Sequence, residues 1–318
     1  MQALVLVLVV LVACGGGRDV ALVARPQAVI SIVEPGAEPR KELRYELTTH
    51  DRERFEMEIK LGMSAAFTNT VREEGQRSAD VPTLRLTGYL QVTSVSPSGE
   101  AAISSVVDDV AVLNDSIDPT LRSRTQAETA ALKGLRTSWR MDPLGRTSEI
   151  AVETPHASRH MSDRLSSFVD SIRPDSVVFP EQEVGVGATW QVVSKITWSK
   201  VIWTRTVKYR LTAMTDTSVT VFTEMVTRAS SQALSVEPNA STVLRSGTAN
   251  MTGDLLLRRH AVMGTGRAQG STEMNFQIVR DHVRTTSTVR SEIVMRTKSV
   301  AEPGEHGGEV LRAEPERR

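Results

Sequence analysis

The chain of 318 residues contains a single cysteine, Cys14, so no internal disulfide can form. Aromatic residues make up only 4% of it, with six Phe, four Trp and three Tyr. A core must therefore be built largely from aliphatic side chains and methionine. Net charge is absent too, because 38 basic residues balance 38 acidic ones. Without a global field to draw in nucleic acid or an anionic surface, no nucleic-acid partner is expected. No apolar run reaches the roughly 20 residues that a membrane-spanning helix needs. Signatures of chemistry are scarce. Neither His50-Asp51 nor Asp281-His282 has a Gly-x-Ser-x-Gly nucleophile motif beside it. The glycines of Gly264-x-Gly266-x-x-x-Gly270 have the wrong spacing for a dinucleotide site and lead into a strand pattern rather than a helix. Neither a cofactor nor an enzymatic activity is expected. What remains, 40% apolar and 24% charged residues, is close to the globular average and sufficient for a core.

The apolar run from Ala3 to Ala13 matches the length of an export-signal core. Small residues follow it, Ala13, Cys14 and Gly15-Gly16-Gly17. The tetrad Leu11-Val12-Ala13-Cys14 resembles the bacterial lipobox, in which the cysteine thiol is acylated and becomes the new N-terminus. The segment departs from that pattern in having no Lys or Arg before Ala3. The resemblance implies a signal peptide over residues 1–13, a lipidated tether over 14–40, and Cys14 as the lipidation site. Gly15 stands where an aspartate would favour retention at the inner membrane, so the expected location is the outer membrane, facing the periplasm.

Along the body of the chain the dominant signal is alternation of period two, the mark of a half-buried strand. Phe55, Met57, Ile59, Leu61, Met63, Ala65 and Phe67 hold every second position, with Glu56, Glu58 and Lys60 between them. Similar runs start at Leu84, Trp190, Val201, Met251 and Gly270, separated by turn sequences such as Ser96-Pro-Ser-Gly99 and Asp142-Pro-Leu-Gly145. Helical spacing occurs in two places. Met161, Leu165, Phe168, Val169 and Ile172 form one apolar stripe, and a weaker helix covers 119–133. The expected fold is mainly β with a helical insertion. Long antiparallel strands form a curved sheet or half-barrel, covered by the amphipathic 157–173 helix and built from two similar halves. The halves are 41–153 and 186–298, with a helical connector at 154–185 and a disordered tail at 299–318.

Two further segments carry a resemblance. Glu34 to Tyr45 and Phe179-Pro-Glu-Gln-Glu-Val-Gly-Val-Gly-Ala-Thr-Trp190 are similar to segments of uncharacterised secreted bacterial lipoproteins, the second with a proline followed by Gly-x-x-Trp where a strand begins. Together they cover less than a tenth of the chain and imply no activity. In shape alone, the expected architecture resembles periplasmic lipoprotein and lipid carriers. The apolar face expected to meet a hydrophobic ligand comprises Phe55, Met57, Ile59, Leu61, Met63, Leu86, Leu90, Met161, Leu165, Phe168, Met274 and Phe276. A weaker candidate is a metal face made of His156, His160 and Asp163 at i, i+4 and i+7, for which a solvated helix surface is the simpler account. The expected function is that of a non-enzymatic, lipid-anchored envelope protein that binds a lipid or other hydrophobe. The alternatives are a structural or interaction lipoprotein with a filled core and a metal-dependent enzyme. The expected partners are the membrane, through the N-terminal lipid, and either a hydrophobic ligand or an envelope protein.

Labelling cells with a radioactive fatty acid should mark the wild-type protein and leave a Cys14→Ala variant unmarked; equal labelling of the two would remove the lipid anchor.

Overall fold

A computed structural model describes residues 28–69, 74–113, 118–153, 176–198, 201–237 and 240–302. The first strand is β1 (Val29–Glu34). A first meander follows: β2 (Arg52–Asn69), β3 (Glu74–Val95), β4 (Ala101–Val112), β5 (Arg136–Met141) and β6 (Thr147–Glu153). Between β4 and β5 lies the one described helix, α1 (Pro119–Thr129). The second meander is β7 (Thr189–Trp198), β8 (Val201–Met214), β9 (Ser218–Ala229), β10 (Gln232–Glu237), β11 (Ala240–Arg258), β12 (Thr265–Arg280) and β13 (Val283–Glu302).

All these strands belong to one antiparallel sheet in the order β1-β7-β8-β9-β11-β12-β13-β2-β3-β4-β5-β6, with β10 paired beside β11. The path is open, with β1 and β6 as its edges. The fold is a large, curved, mainly β structure that does not close into a barrel. The two meanders meet where β13 pairs with β2 over the whole length of β2, from Thr285↔Asn69 to Glu302↔Arg52. At about 3.3 Å per residue, an 18-residue strand such as β2 spans on the order of 60 Å.

The alternation explains the two faces. Along β2, Phe55, Met57 and Ile59 are buried while Glu56 and Glu58 lie between them on the other face. That other face is laced with opposite charges across the strands. Glu58 is registered with Arg296 and with Arg85, Glu56 with Lys298, and Lys208 with Glu224. Arg290 Nε donates to Glu273 Oε2 at 2.8 Å on the same face. A transmembrane barrel presents an apolar band outward, and this surface presents charge instead.

An apolar sheet face must be covered, and here the two ends of the sheet curl towards each other around two straps, 35–50 and 176–188. Segment 176–179 joins the ends directly. Phe179 N donates to Leu144 O in the β5–β6 turn at 2.8 Å, and Trp190 Nε1 of β7 donates to Val178 O at 2.8 Å. Tyr45 N bonds Pro143 O at 2.8 Å, and Glu46 N bonds Arg259 O in the β11–β12 turn at 2.8 Å. The straps run backbone against backbone. A Cβ on Gly185 would lie 1.7 Å from Ala37 O, and Gly36, at φ +78°, has the same constraint from Gly185. Glycine is therefore required at both positions. A Cβ on Gly187, which opens the Gly-x-x-Trp sequence, would meet no atom within 4 Å, but the residue holds a left-handed φ of +88° that favours glycine. The chain then plants Trp190, fully buried and stacked on Tyr209 at 5.4 Å.

Several expectations differ in detail. Residues 28–40, expected as tether, are part of the fold, because β1 pairs with β7 from Val29↔Val193 to Glu34↔Thr189. β13 runs to Glu302, into the expected tail. The connection between β11 and β12 spans residues 259–264, with Ala261, Val262 and Met263 buried in it. The expected 119–133 helix is α1 followed by one 3-10 turn, Ala130–Leu132, and ends at Gly134 in a left-handed conformation. Asp118 caps it by accepting from Thr120 N and Leu121 N, which also holds its exposed carboxyl below the usual range. The 157–173 helix lies outside the described residues, as do Cys14 and the signal segment.

Glu53 locks the β11–β12 turn. Its residue is 3% exposed, and its carboxylate accepts from Val262 N, Met263 N and Ser299 Oγ. Burial is the largest influence and raises its pKa despite those three donors. A carboxyl that is more basic in the fold than in the unfolded chain stabilises the fold at low pH, and loses that contribution as pH rises through its folded pKa. Thermal unfolding followed across about pH 4 to 8 should therefore show the wild type losing stability relative to Glu53→Gln as pH rises. Parallel profiles would contradict this.

Candidate functional site

Buried side chains form two separate clusters on the concave face. The upper one, beneath the straps, contains Tyr45, Phe55, Met57, Ile59, Leu86, Leu90, Met141, Trp190, Val207, Tyr209 and Leu211 among others. The lower one, towards the other end of the long strands, comprises Ala65, Val201, Trp203, Ala229, Leu244, Met274, Phe276 and Val289. Trp203 anchors it, with its ring lying over Gly247, where an added Cβ would come within 2.6 Å of the ring.

Between the clusters the inward residues change character. On β8 the inward positions are Val201, Trp203, Arg205, Val207, Tyr209 and Leu211, and every one but half-buried Arg205 is apolar and buried. On β7 the inward series Trp190, Val192, Ser194, Ile196 has its polar member opposite, because Ser194 is registered with Arg205. The row continues across the sheet: Arg205↔Thr227, Thr227↔Ala249, Ala249↔Thr272, Thr272↔Ser291 and Ser291↔Met63. A belt of small and hydroxyl-bearing residues thus girds the trough, with a guanidinium near one end. Ser194 is 4% exposed and Thr227 6%. Among the described residues the Ser194 hydroxyl has no hydrogen-bond partner. Leaving a buried hydroxyl unsatisfied costs about 1–3 kcal/mol, so the position carries a real penalty.

Directly above the belt the next row is soft and apolar. Val207↔Met225, Met225↔Met251, Met251↔Gly270, Gly270↔Ile293 and Ile293↔Leu61 are the register pairs. Met225, Met251, Ile293 and Leu61 are only part-buried, as are Met63 below and Met295 above. The trough therefore has a filled upper end, a filled lower end, and a partly open middle lined by methionine and aliphatic side chains over glycine and alanine.

The structure divides the expected apolar face accordingly. Phe55, Met57, Ile59, Leu86 and Leu90 are buried in the upper cluster, and Met274 and Phe276 in the lower. Leu61 and Met63 line the open middle. Met161, Leu165 and Phe168, and the metal candidates His156, His160 and Asp163, lie outside the described residues. Among the described residues no cluster of His, Cys, Asp and Glu could hold a metal ion. Asp108 and Asp109 face Arg54 at 3.5 Å and Lys133 at 3.9 Å. His50 and Asp51 belong to the Thr48–Asp51 turn, closed by Thr48 Oγ1 to Asp51 Oδ1 at 2.6 Å. Sequence reading missed Ser194 and Arg205. Their signal was a missing beat, one polar residue on the apolar parity of each strand, and only the register shows that the two gaps coincide.

Comparison with known proteins adds little. No family model and no curated protein matches the chain. Among solved structures, a mutant of Rh. blastica porin aligns at 8% identity with a TM-score of 0.16, covering 76% of this chain and all of that one. A deletion mutant of the TodX monoaromatic hydrocarbon channel aligns at 8% identity and a TM-score of 0.15, covering 79% of this chain and 91% of that one.

Proposed function

We propose that the protein is a non-enzymatic envelope protein, tethered by a lipid on Cys14, that holds a long-chain hydrophobe in the middle of its trough. The observation that carries this reading is the gap between the two clusters. Met225, Met251, Ile293, Met295, Leu61 and Met63 point inward on central strands and stay part-buried, while the ends of the same face are filled. Methionine is adaptable and polarizable, which suits a surface that must mould to a flexible chain. The convex face carries cross-strand charge pairs and only scattered exposed apolar residues such as Ile202 and Leu256, so the continuous apolar surface lies on the inside. The filled upper end favours the structural reading for that region, where side chains leave no room for a ligand. The hydrophobe is therefore assigned to the middle.

Magnitudes set the size of the ligand. Burial contributes about 0.8 kcal/mol per methylene, so about ten methylenes give about 8 kcal/mol. Association costs about 4–15 kcal/mol in lost freedom. Short chains fall below this threshold, and chains of fatty-acyl length reach it. Lipid anchoring and placement at the outer membrane, facing the periplasm, fit such a role, since a hydrophobe carrier gains from being held near a bilayer.

Purified protein should take up N-phenyl-1-naphthylamine with a saturable rise in fluorescence. Hexadecane should displace the dye. Replacing Met251 and Ile293 together by Gln should weaken uptake about tenfold or more by removing two apolar side chains worth about a kcal/mol or so each. No saturable uptake by the wild type would overturn the proposal.

A further inference from the structure

The polar belt lies directly below the apolar middle, and its composition specifies one end of the ligand. On β7, β8, β9, β11, β12, β13 and β2, Arg205 is the sole charged side chain among the inward positions between Glu53 and the lower cluster, among the described residues. Ser194 is directly opposite on β7, buried, with a hydroxyl that has no hydrogen-bond partner among the described residues. Thr227 flanks Arg205 on the other side. A cation, an unsatisfied hydroxyl and a second hydroxyl therefore stand side by side on three neighbouring strands, about 5 Å apart from strand to strand. Above them are Val207 and Met225, and then the part-buried methionines.

We infer that this belt binds the oxyanion head of an amphiphile whose alkyl chain lies along the apolar row above it. The inference rests on the hydrophobe reading given above and adds the charge and polarity of the ligand. Arg205 makes contacts within the chain. A guanidinium has five donors in a planar fork, so it can accept a carboxylate or phosphate oxygen alongside another partner. The Ser194 hydroxyl gains the acceptor that it lacks among the described residues. The small residues Ala249, Thr272 and Ser291 continue the row across β11, β12 and β13. No inward carboxylate on these strands competes for the head below Glu53, among the described residues. The shared chemistry is an oxyanion on a long alkyl chain, and both a fatty acid and an alkyl phosphate supply it.

The test compares three probes of equal chain length as competitors of N-phenyl-1-naphthylamine on the full mature chain: palmitic acid, hexadecyl phosphate and hexadecanol. The wild type should bind at least one of the two acids about tenfold to a hundredfold more tightly than the alcohol, as expected for a charge-assisted hydrogen bond in a sheltered site. Whichever acid wins identifies the head group. In Arg205→Gln this preference should vanish, and Ser194→Ala should narrow it by a smaller factor. If Arg205→Gln fails to fold, the wild-type preference and the Ser194→Ala variant still decide the matter. Equal binding of acid and alcohol by the wild type would overturn the head-group assignment and leave the hydrophobe reading standing. A preference that survives Arg205→Gln would overturn it as well. Failure of all three probes to displace the dye would overturn both.

Discussion

Everything in this molecule depends on the short segment 176–179 joining the two ends of a sheet that has no closing strand pair. Its Phe179 amide takes hold of the β5–β6 turn, and its Val178 carbonyl receives the indole of Trp190 from β7. A meander of this width with one apolar face has three ways to shelter that face: close on itself, stack on a second layer, or curl and be tied. Here it is tied. The knot sits at one end of strands far longer than the average, so the upper side chains interlock into a filled core while the middle of the trough is left part-covered. The open middle follows from where the strap is placed, and needs no special architecture of its own.

The local pattern of the sequence carried most of the strands. Alternation identified β2, the inner stretch of β3, β7, β8, the second half of β11 and β12, because each is wet on one face and dry on the other. It failed where both faces are weakly apolar. The first half of β11, Ala240 to Asn250, is rich in Ser, Thr and Gly and gave no period, although the register holds it firmly between β9 and β12. β10 and the start of β3 were missed for the same reason. β1 lies in the segment read as tether, where Ala28–Val33 is apolar enough to pair as a short strand, and its pairing with β7 fixes it.

The candidate site was legible only in part. The inward parity of Leu61 and Met63 could be read directly, and both line the open middle. That their neighbours Phe55, Met57 and Ile59 instead fill a core depends on the strap above them, and no local pattern encodes the position of a strap. Ser194 and Arg205 show the complementary case. Each interrupts an otherwise apolar series, a defect that a one-dimensional reading treats as noise. Placed opposite each other across the β7–β8 hairpin, the two defects become one polar site at the junction between two cores. Local rules broken without a local compensation are where function is to be sought.

The central claim is that the trough is filled at both ends and open in the middle. The protein's own methionines report on it. Mild peroxide treatment followed by peptide mass spectrometry measures the oxidation rate of each one. Met57, Met141, Met263 and Met274, each no more than 5% exposed, should resist, while Met63, Met225, Met251 and Met295 oxidise first. Protection of that second group equal to that of the first would contradict the account.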